Sequence, residues 1–263
     1  MSLGVLASFV AGAASAKLAR WWSDRPLPLP RAPDPRRIKP TICLVHGAFV
    51  NSSCWFPVIR CLQREGYVVV ALPNPLRGVE HDTLYLDKFL SQIEGLVVLV
   101  AHGYGGFLTT NSRHDRIKAL VFIAAYAPQL DETLWQLHDR HVSEKQMMRS
   151  TLKKTEGTLQ EVTIQTELFG DMMCTEEAAV MAVAQKPIVS SALEENIQRC
   201  RWRHTPSFYM MGGADHLIGV TLARFMGVRM DAVHAMELPG ASHLPMLTHD
   251  RDVAQLILTA ALY

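Results

Sequence analysis

Asp215 in "MMGGADHLIG" and His243 in "LPGASHLPML" are the two residue types that together make a polarised general base. A carboxylate that accepts the Nδ1–H of an imidazole fixes its tautomer and leaves Nε2 free to take a proton. Such a pair ordinarily serves a nucleophile held on a sharp strand-to-helix turn of the Gly-x-Ser-x-Gly type. The stretch "VVLVAHGYGGF", Val97 to Phe107, has that shape. Ala101 and Gly105 are the small neighbours two positions either side of the apex, His102 precedes it, and Gly106 lets a following helix pack close. The apex itself is Gly103, which has no side chain to attack with. Glycine reaches positive φ without the steric penalty that serine bears. Replacing serine by glycine at such an apex relaxes roughly 1–3 kcal/mol of strain while removing the nucleophile.

A second piece of the same chemistry lies early in the chain. His46-Gly47-Ala48-Phe49 directly follows the strand-like run "TICLV". The backbone N–H groups of Ala48 and Tyr104 are then the expected pair of donors to a developing oxyanion. The chain order of elbow, acid and histidine, here Gly103, Asp215 and His243, fits an open α/β sheet and differs from the orders of the chymotrypsin and subtilisin folds. Ser52, Ser53, Cys54 and Ser242 are the nearest substitutes for the missing nucleophile, but none sits at an elbow apex. Other readings of "HGYGG" are weaker. It lacks the Gly-Lys-Ser/Thr ending of a phosphate-binding loop, and a dinucleotide fingerprint needs its first glycine after the first strand of the unit. His46, His102 and His243 could be combined into a metal site, but the expectation is no metal and no cofactor.

These residues need a sheet to position them, and the chain supplies one. From residue 41, short apolar runs alternate with helix-like segments: "TICLVHG", a helix from Trp55 to Glu65 stopped by Gly66, "YVVVALP", a helix in "LYLDKFLSQIEG", "LVVLVAHG", a helix opening at "GGFLTTNSRHD", and "IKALVFIAAYAP". Alternation of this kind predicts right-handed crossovers and a mostly parallel sheet, and near-continuous apolar strands predict burial on both faces. Regularity breaks at Pro128 and resumes after Pro206 with "PSFYMMGGAD", "LARFMGVRM", "AVHAMELPG" and "DVAQLILTAAL". Residues 128–205 are therefore expected to be a lid inserted over the sheet's C-terminal edge, where open α/β folds bind ligands. Trp135, Met147, Met148, Leu168, Phe169, Met172 and Met173 in this segment suggest an apolar small-molecule ligand.

At 263 residues the chain is long enough for one domain with a large core. With 26 basic and 25 acidic residues it has no electrostatic footprint for nucleic acid. Its five cysteines (Cys43, Cys54, Cys61, Cys174 and Cys200) are odd in number, lack metal-ligand spacing and read as reduced thiols. Residues 1–40 stand apart as an apolar leader and Pro-rich linker before the domain at 41–263. Leu3 to Ala16 is uncharged and too short to span a bilayer, and Lys17, Arg20, Trp21 and Trp22 follow it. A signal-peptide core, a targeting or membrane-surface segment making contact through residues 3–22, and a plain N-terminal helix remain equal alternatives, so localisation stays open.

On "LVHGAF", "VLVAHGYGG", "KALVFIAAYAP", "GADHLI" and "ELPGASHLPML" the chain resembles the small α/β-hydrolases, in the branch of plant methyl-ester esterases, hydroxynitrile lyases and many bacterial esterases. The resemblance covers roughly residues 41 to 260. It implies an eight-strand sheet with a helical lid, Asp215 and His243 as acid and base, and Ala48 and Tyr104 as oxyanion donors. The sequence departs from the family at Gly103, where the family carries serine, and more mildly at Ala101, where it carries glycine. Three readings follow from that departure. One is a non-hydrolytic ligand-binding protein or pseudoenzyme. The second is an altered enzyme that uses Asp215–His243 as a general base on an apolar small ester or carbonyl compound. The third is an esterase in which serine was exchanged for glycine.

Overall fold

Strands form where the β-branched and apolar runs lie, and each ends where the run meets a glycine, a proline or a polar turn. In chain order they are β1 (Thr41–Val45), β2 (Val69–Leu72), β3 (Val97–Gly103), β4 (Ile117–Ala125), β5 (Leu152–Lys154), β6 (Glu161–Ile164), β7 (Ile188–Val189), β8 (Ser207–Gly212) and β9 (His234–Leu238). The helices are α1 (Phe56–Arg64), α2 (Val79–Ser91), α3 (Gly105–Asn111), α4 (Leu134–His138), α5 (Thr175–Ala184), α6 (Val220–Arg229), α7 (Pro245–Thr248) and α8 (Asp250–Leu262). This computed structural model describes residues 38–141, 152–154, 161–164 and 175–263. Residues 3–22, most of the Pro-rich linker, Met147, Met148, Leu168, Phe169, Met172, Met173 and Cys174 lie outside the described residues.

The main sheet has the order β2-β1-β3-β4-β8-β9, and every pairing in it is parallel. The chain thus folds as a parallel α/β sheet flanked by helices. Among the described residues this sheet has six strands, where the resemblance implied eight. The segment expected to be a helical lid also departs from expectation. Its described part holds α4 and α5, but also β5, β6 and β7, which pair antiparallel as a separate small sheet. The backbone groups of "LKK" and "EVTI" satisfy one another across that ladder, which a helix in so short and polar a stretch could not match.

The strands closest to the site are the most buried. Every residue of β3 and β8 is buried, as are all but the first of β1 and all but Lys118 of β4. Strand order reverses between β1 and β3, and at such a switch point the C-terminal ends of the strands form the crevice where open α/β folds bind ligands. That crevice receives both the "HGAF" turn and the "HGYGG" elbow. Cys43, Cys54 and Cys200 are buried free thiols and Cys61 is a partly buried one. Among the described residues no helix is long and apolar enough to cross a membrane.

Candidate active site

Gly103 is the last residue of β3, with φ +52°, and α3 begins two residues later. This is a strand-to-helix turn whose apex adopts the left-handed region, which glycine tolerates and other residues enter only with strain. Its neighbours are small because backbone surrounds them. A Cβ on Gly106 would lie 1.8 Å from the Tyr126 carbonyl oxygen, and one on Gly105 2.8 Å from that of Val45. One on Gly47 would lie 2.9 Å from the His102 carbonyl and 3.2 Å from the Gly103 Cα, so the turn after β1 presses directly onto the elbow. Gly103 differs from these three. A Cβ there would stand at ordinary contact distance, with the His243 Nε2 as its nearest neighbour at 3.4 Å. Ala101 and His102 are the two preceding, enclosed residues of β3, and Ala101 pairs with Val45 and Phe122 without difficulty. On β4 the register slips opposite Gly103, where Ala124 takes φ +40°.

His243 comes from the loop after β9 and Asp215 from the loop after β8. The two loops are stitched together. Gly213 N–H donates to the Leu238 carbonyl at 2.8 Å and Ala214 N–H to that of Ala241 at 2.9 Å. Gly212 must be glycine because a Cβ would lie 2.3 Å from the carbonyls of Ala241 and Ser242. The result is a bond of 2.8 Å from His243 Nδ1–H to Asp215 Oδ2, with both residues buried. Asp215 Oδ1 accepts the N–H groups of Leu217 and Ile218 at 2.9 and 3.0 Å. Burial alone would push the Asp215 carboxyl up. The charge of His243, its hydrogen bond and the two backbone N–H groups outweigh burial and hold it below the ordinary carboxylate value. Asp215 is therefore an ionised carboxylate that fixes His243 with Nε2 toward Gly103.

Two further histidines line the elbow. His102 Nε2–H donates to the His243 carbonyl at 3.0 Å, and the two rings lie 4.6 Å apart. Burial first, then the charge of His243, pushes the His102 imidazole well below its usual value, so it stays neutral. His46 donates Nδ1–H to the Gly47 carbonyl at 2.8 Å, and burial lowers it to about 4. With those nitrogens committed to backbone carbonyls, the two rings and His243 do not converge on a common point. Among the described residues no group of three or more His, Cys, Asp and Glu side chains is arranged to hold a metal ion.

The expected oxyanion donors belong to the two turns that meet at the crevice. Ala48 is partly buried in the turn after β1, and Tyr104 caps the N-terminus of α3 with φ −57° and ψ −29°. Tyr104 carries a contact that local spacing did not reveal. Its hydroxyl donates to the buried Asp82 at 3.3 Å, and burial with the Asp82 charge raises the phenol far above its usual value. Of the substitute nucleophiles, two hydroxyls engage other groups and one thiol is deeply buried. Ser52 donates to the Leu72 carbonyl at 3.0 Å, the Ser242 hydroxyl accepts Leu244 N–H at 3.4 Å, and burial pushes the Cys54 thiol far up. Ser53 is exposed on the short turn Ser52–Trp55, and the apex is held by Gly103.

With the fold and this constellation established, the chain belongs to the alpha/beta hydrolase family, whose family model matches residues 44–256. Within that family it is related to plant methylesterases. It is 24% identical over 246 residues to methylesterase 7 of Arabidopsis thaliana, covering 83% of this chain and 95% of that one. It is also 24% identical over 258 residues to norfluorocurarine synthase 2 of a Strychnos species, covering 82% and 92%. The structure of polyneuridine aldehyde esterase superimposes with a TM-score of 0.71 at 17% identity over 84% of this chain and 98% of that one. A pyrethroid hydrolase from Sphingobium faniae JZ-2 gives 0.68 at 18% identity, over 84% and 97%. At such identities the structural likeness speaks for the fold.

Proposed function

We propose that Gly103 occupies the nucleophile position of an esterase-type site, and that the protein binds a small ester or carbonyl compound there without forming an acyl-enzyme. The observation that carries this reading is the positive-φ elbow at Gly103 with the His243 Nε2 3.4 Å from its missing Cβ. The imidazole is aimed where a serine hydroxyl would stand, and no hydroxyl is there. Ala48 and Tyr104 supply the N–H groups that polarise the ligand carbonyl, and residues 128–205 form the lid. Relatives named as methylesterases support a small apolar ligand, since apolar pockets with a few placed donors suit such molecules. A fluorophosphonate probe and methyl jasmonate, a compound named for a relative 32% identical over 117 residues, test this. The protein should take no covalent label yet show saturable thermal stabilisation by the ester. Covalent labelling of the protein as it stands would refute the reading.

A second reading is favoured by the intact Asp215–His243 pair. A site used for binding alone gains nothing from an ionised carboxylate held on an imidazole, whereas a general base does. His243 would then take a proton from water or from a carbon acid lodged at Gly103. Deuterium exchange at the α-carbon of a ketone probe, followed by NMR, should proceed with the protein and stop in His243→Ala. Equal rates in the two proteins would discard it.

A further inference from the structure

A closed ring of hydrogen bonds surrounds the turn that carries Ala48, and one of its members comes from the 128–205 segment. The His46 carbonyl accepts Nδ2–H of the buried Asn74 at 3.1 Å. The Asn74 carbonyl accepts the Lys186 ammonium. The Lys186 carbonyl accepts the Phe49 N–H at 3.2 Å, and Phe49 returns to His46 through Gly47 and Ala48. Both flanks of Ala48 are thus fastened while Ala48 spans the gap. Phe49 has φ +64°, a conformation that a bulky residue holds only when its surroundings impose it. Gly47 lies against Gly103 and His102 on the inner side, so the turn is held from both directions.

From this ring the geometry points to Lys186 and Asn74 as positioning residues that set the direction of the Ala48 N–H, coupling the stem of the lid to the carbonyl-binding site. The inference rests on the reading of Ala48 as a donor given above. Neighbouring bonds brace the same stem. Asn51 Nδ2–H donates to the Ala184 carbonyl at 3.3 Å, and Val189 N–H donates to that of Leu76 at 3.1 Å. Pro187 restricts Lys186 to an extended backbone, which keeps its carbonyl aimed at Phe49. Lys186 is partly buried, and burial followed by the nearby Arg77 charge lowers its ammonium below the usual value. The nearby Asp82 carboxylate favours that charge.

Lys186→Met removes the ammonium and leaves the backbone carbonyl in place, and Lys186→Arg restores a cationic donor. Amide hydrogen exchange of the Phe49 N–H should quicken about tenfold in Lys186→Met and return toward the original rate in Lys186→Arg, with similar Tm values. In a Gly103→Ser background, Lys186→Met should lower kcat for p-nitrophenyl butyrate about tenfold with KM within twofold. Unchanged Phe49 exchange would overturn the coupling. Faster exchange with kcat unaltered would overturn the positioning of Ala48. An inactive Gly103→Ser protein would instead refute the esterase-type site, and Ala48 as its donor with it, while the exchange result still decides whether the ring couples stem and turn. Asn74→Ala, which opens the ring at a different bond, should repeat both effects.

Discussion

Placing a hydroxyl at residue 103 tests the proposed nucleophile position directly. In Gly103→Ser the new Cβ would lie 3.4 Å from the His243 Nε2 and 3.5 Å from the Gly47 Cα, so it enters without overlap. The Oγ, about 1.4 Å further out, can come within about 3 Å of Nε2, the reach that nucleophile activation needs. The cost is conformational. Serine at φ +52° bears about 1–3 kcal/mol of strain, which for a domain of this size lowers Tm by roughly 2–12 °C. The gain is chemical. Loss of a triad serine elsewhere costs on the order of 10⁶ in kcat, and the oxyanion hole and binding alone retain about 10³–10⁴ over water. Hydrolysis of p-nitrophenyl acetate and butyrate should therefore rise by at least about 10³-fold, together with fluorophosphonate labelling of the introduced hydroxyl. A variant that folds with the lowered Tm, yet neither hydrolyses the esters nor takes the label, would refute the nucleophile position. An unchanged Tm would refute the strain, because the elbow would then accept a side chain freely.

Other consequences can be read from packing and charge. Gly106→Ala would place a Cβ 1.8 Å from the Tyr126 carbonyl oxygen and should cost at least about 3 kcal/mol in urea denaturation, or prevent folding. Gly95→Ala, with nothing within 4 Å and φ +78°, should cost only about 1 kcal/mol. Glu132 pairs with the nearly enclosed Arg229 at 2.9 Å and with Arg140 at 2.7 Å, so Glu132→Ala strands a buried cation and should cost about 3–5 kcal/mol by the same assay. His46 is neutral in the fold but takes a proton near pH 6.5 when unfolded. Its contribution is complete above 6.5 and is lost as pH falls toward its folded value of about 4, where the loss amounts to about 3 kcal/mol. His102 acts in the same direction. Urea midpoints measured from pH 8 to 4 should fall, and His46→Gln should flatten that slope; an unchanged slope would count against a neutral buried His46.

The parallel sheet and the tight turn at Gly103 were legible because each rests on local pattern, and the structure does bring Asp215 and His243 into contact. Apolar runs are read from neighbouring residues, and the elbow's small residues from spacings of one and two. The strand count was less legible, since it depends on which short runs find a partner in the sheet. The β5-β6-β7 ladder was missed for a related reason. "LKK" and "EVTI" are too short and polar to declare themselves, and they become strands only by pairing with each other and with Ile188–Val189. At the site, Asp82, Asn74 and Lys186 carried no signal. Their roles come from contacts across 22, 28 and 112 residues that tertiary packing alone creates.

The tight glycines have a consequence for how this site records its own history. Gly47, Gly105, Gly106 and Gly212 are required by carbonyl oxygens that stand where a Cβ would go, so the fold would retain them whether or not any reaction took place. Their presence is a record of architecture, not of chemistry. Asp215 is different. An asparagine could still accept the N–H groups of Leu217 and Ile218 through its side-chain oxygen, and it would spare the protein a buried negative charge. Among relatives with glycine at the place of Gly103, residue 215 is therefore the more sensitive witness. Drift to asparagine would mark a fold kept for its shape, and a persistent aspartate would mark an imidazole still kept for its proton.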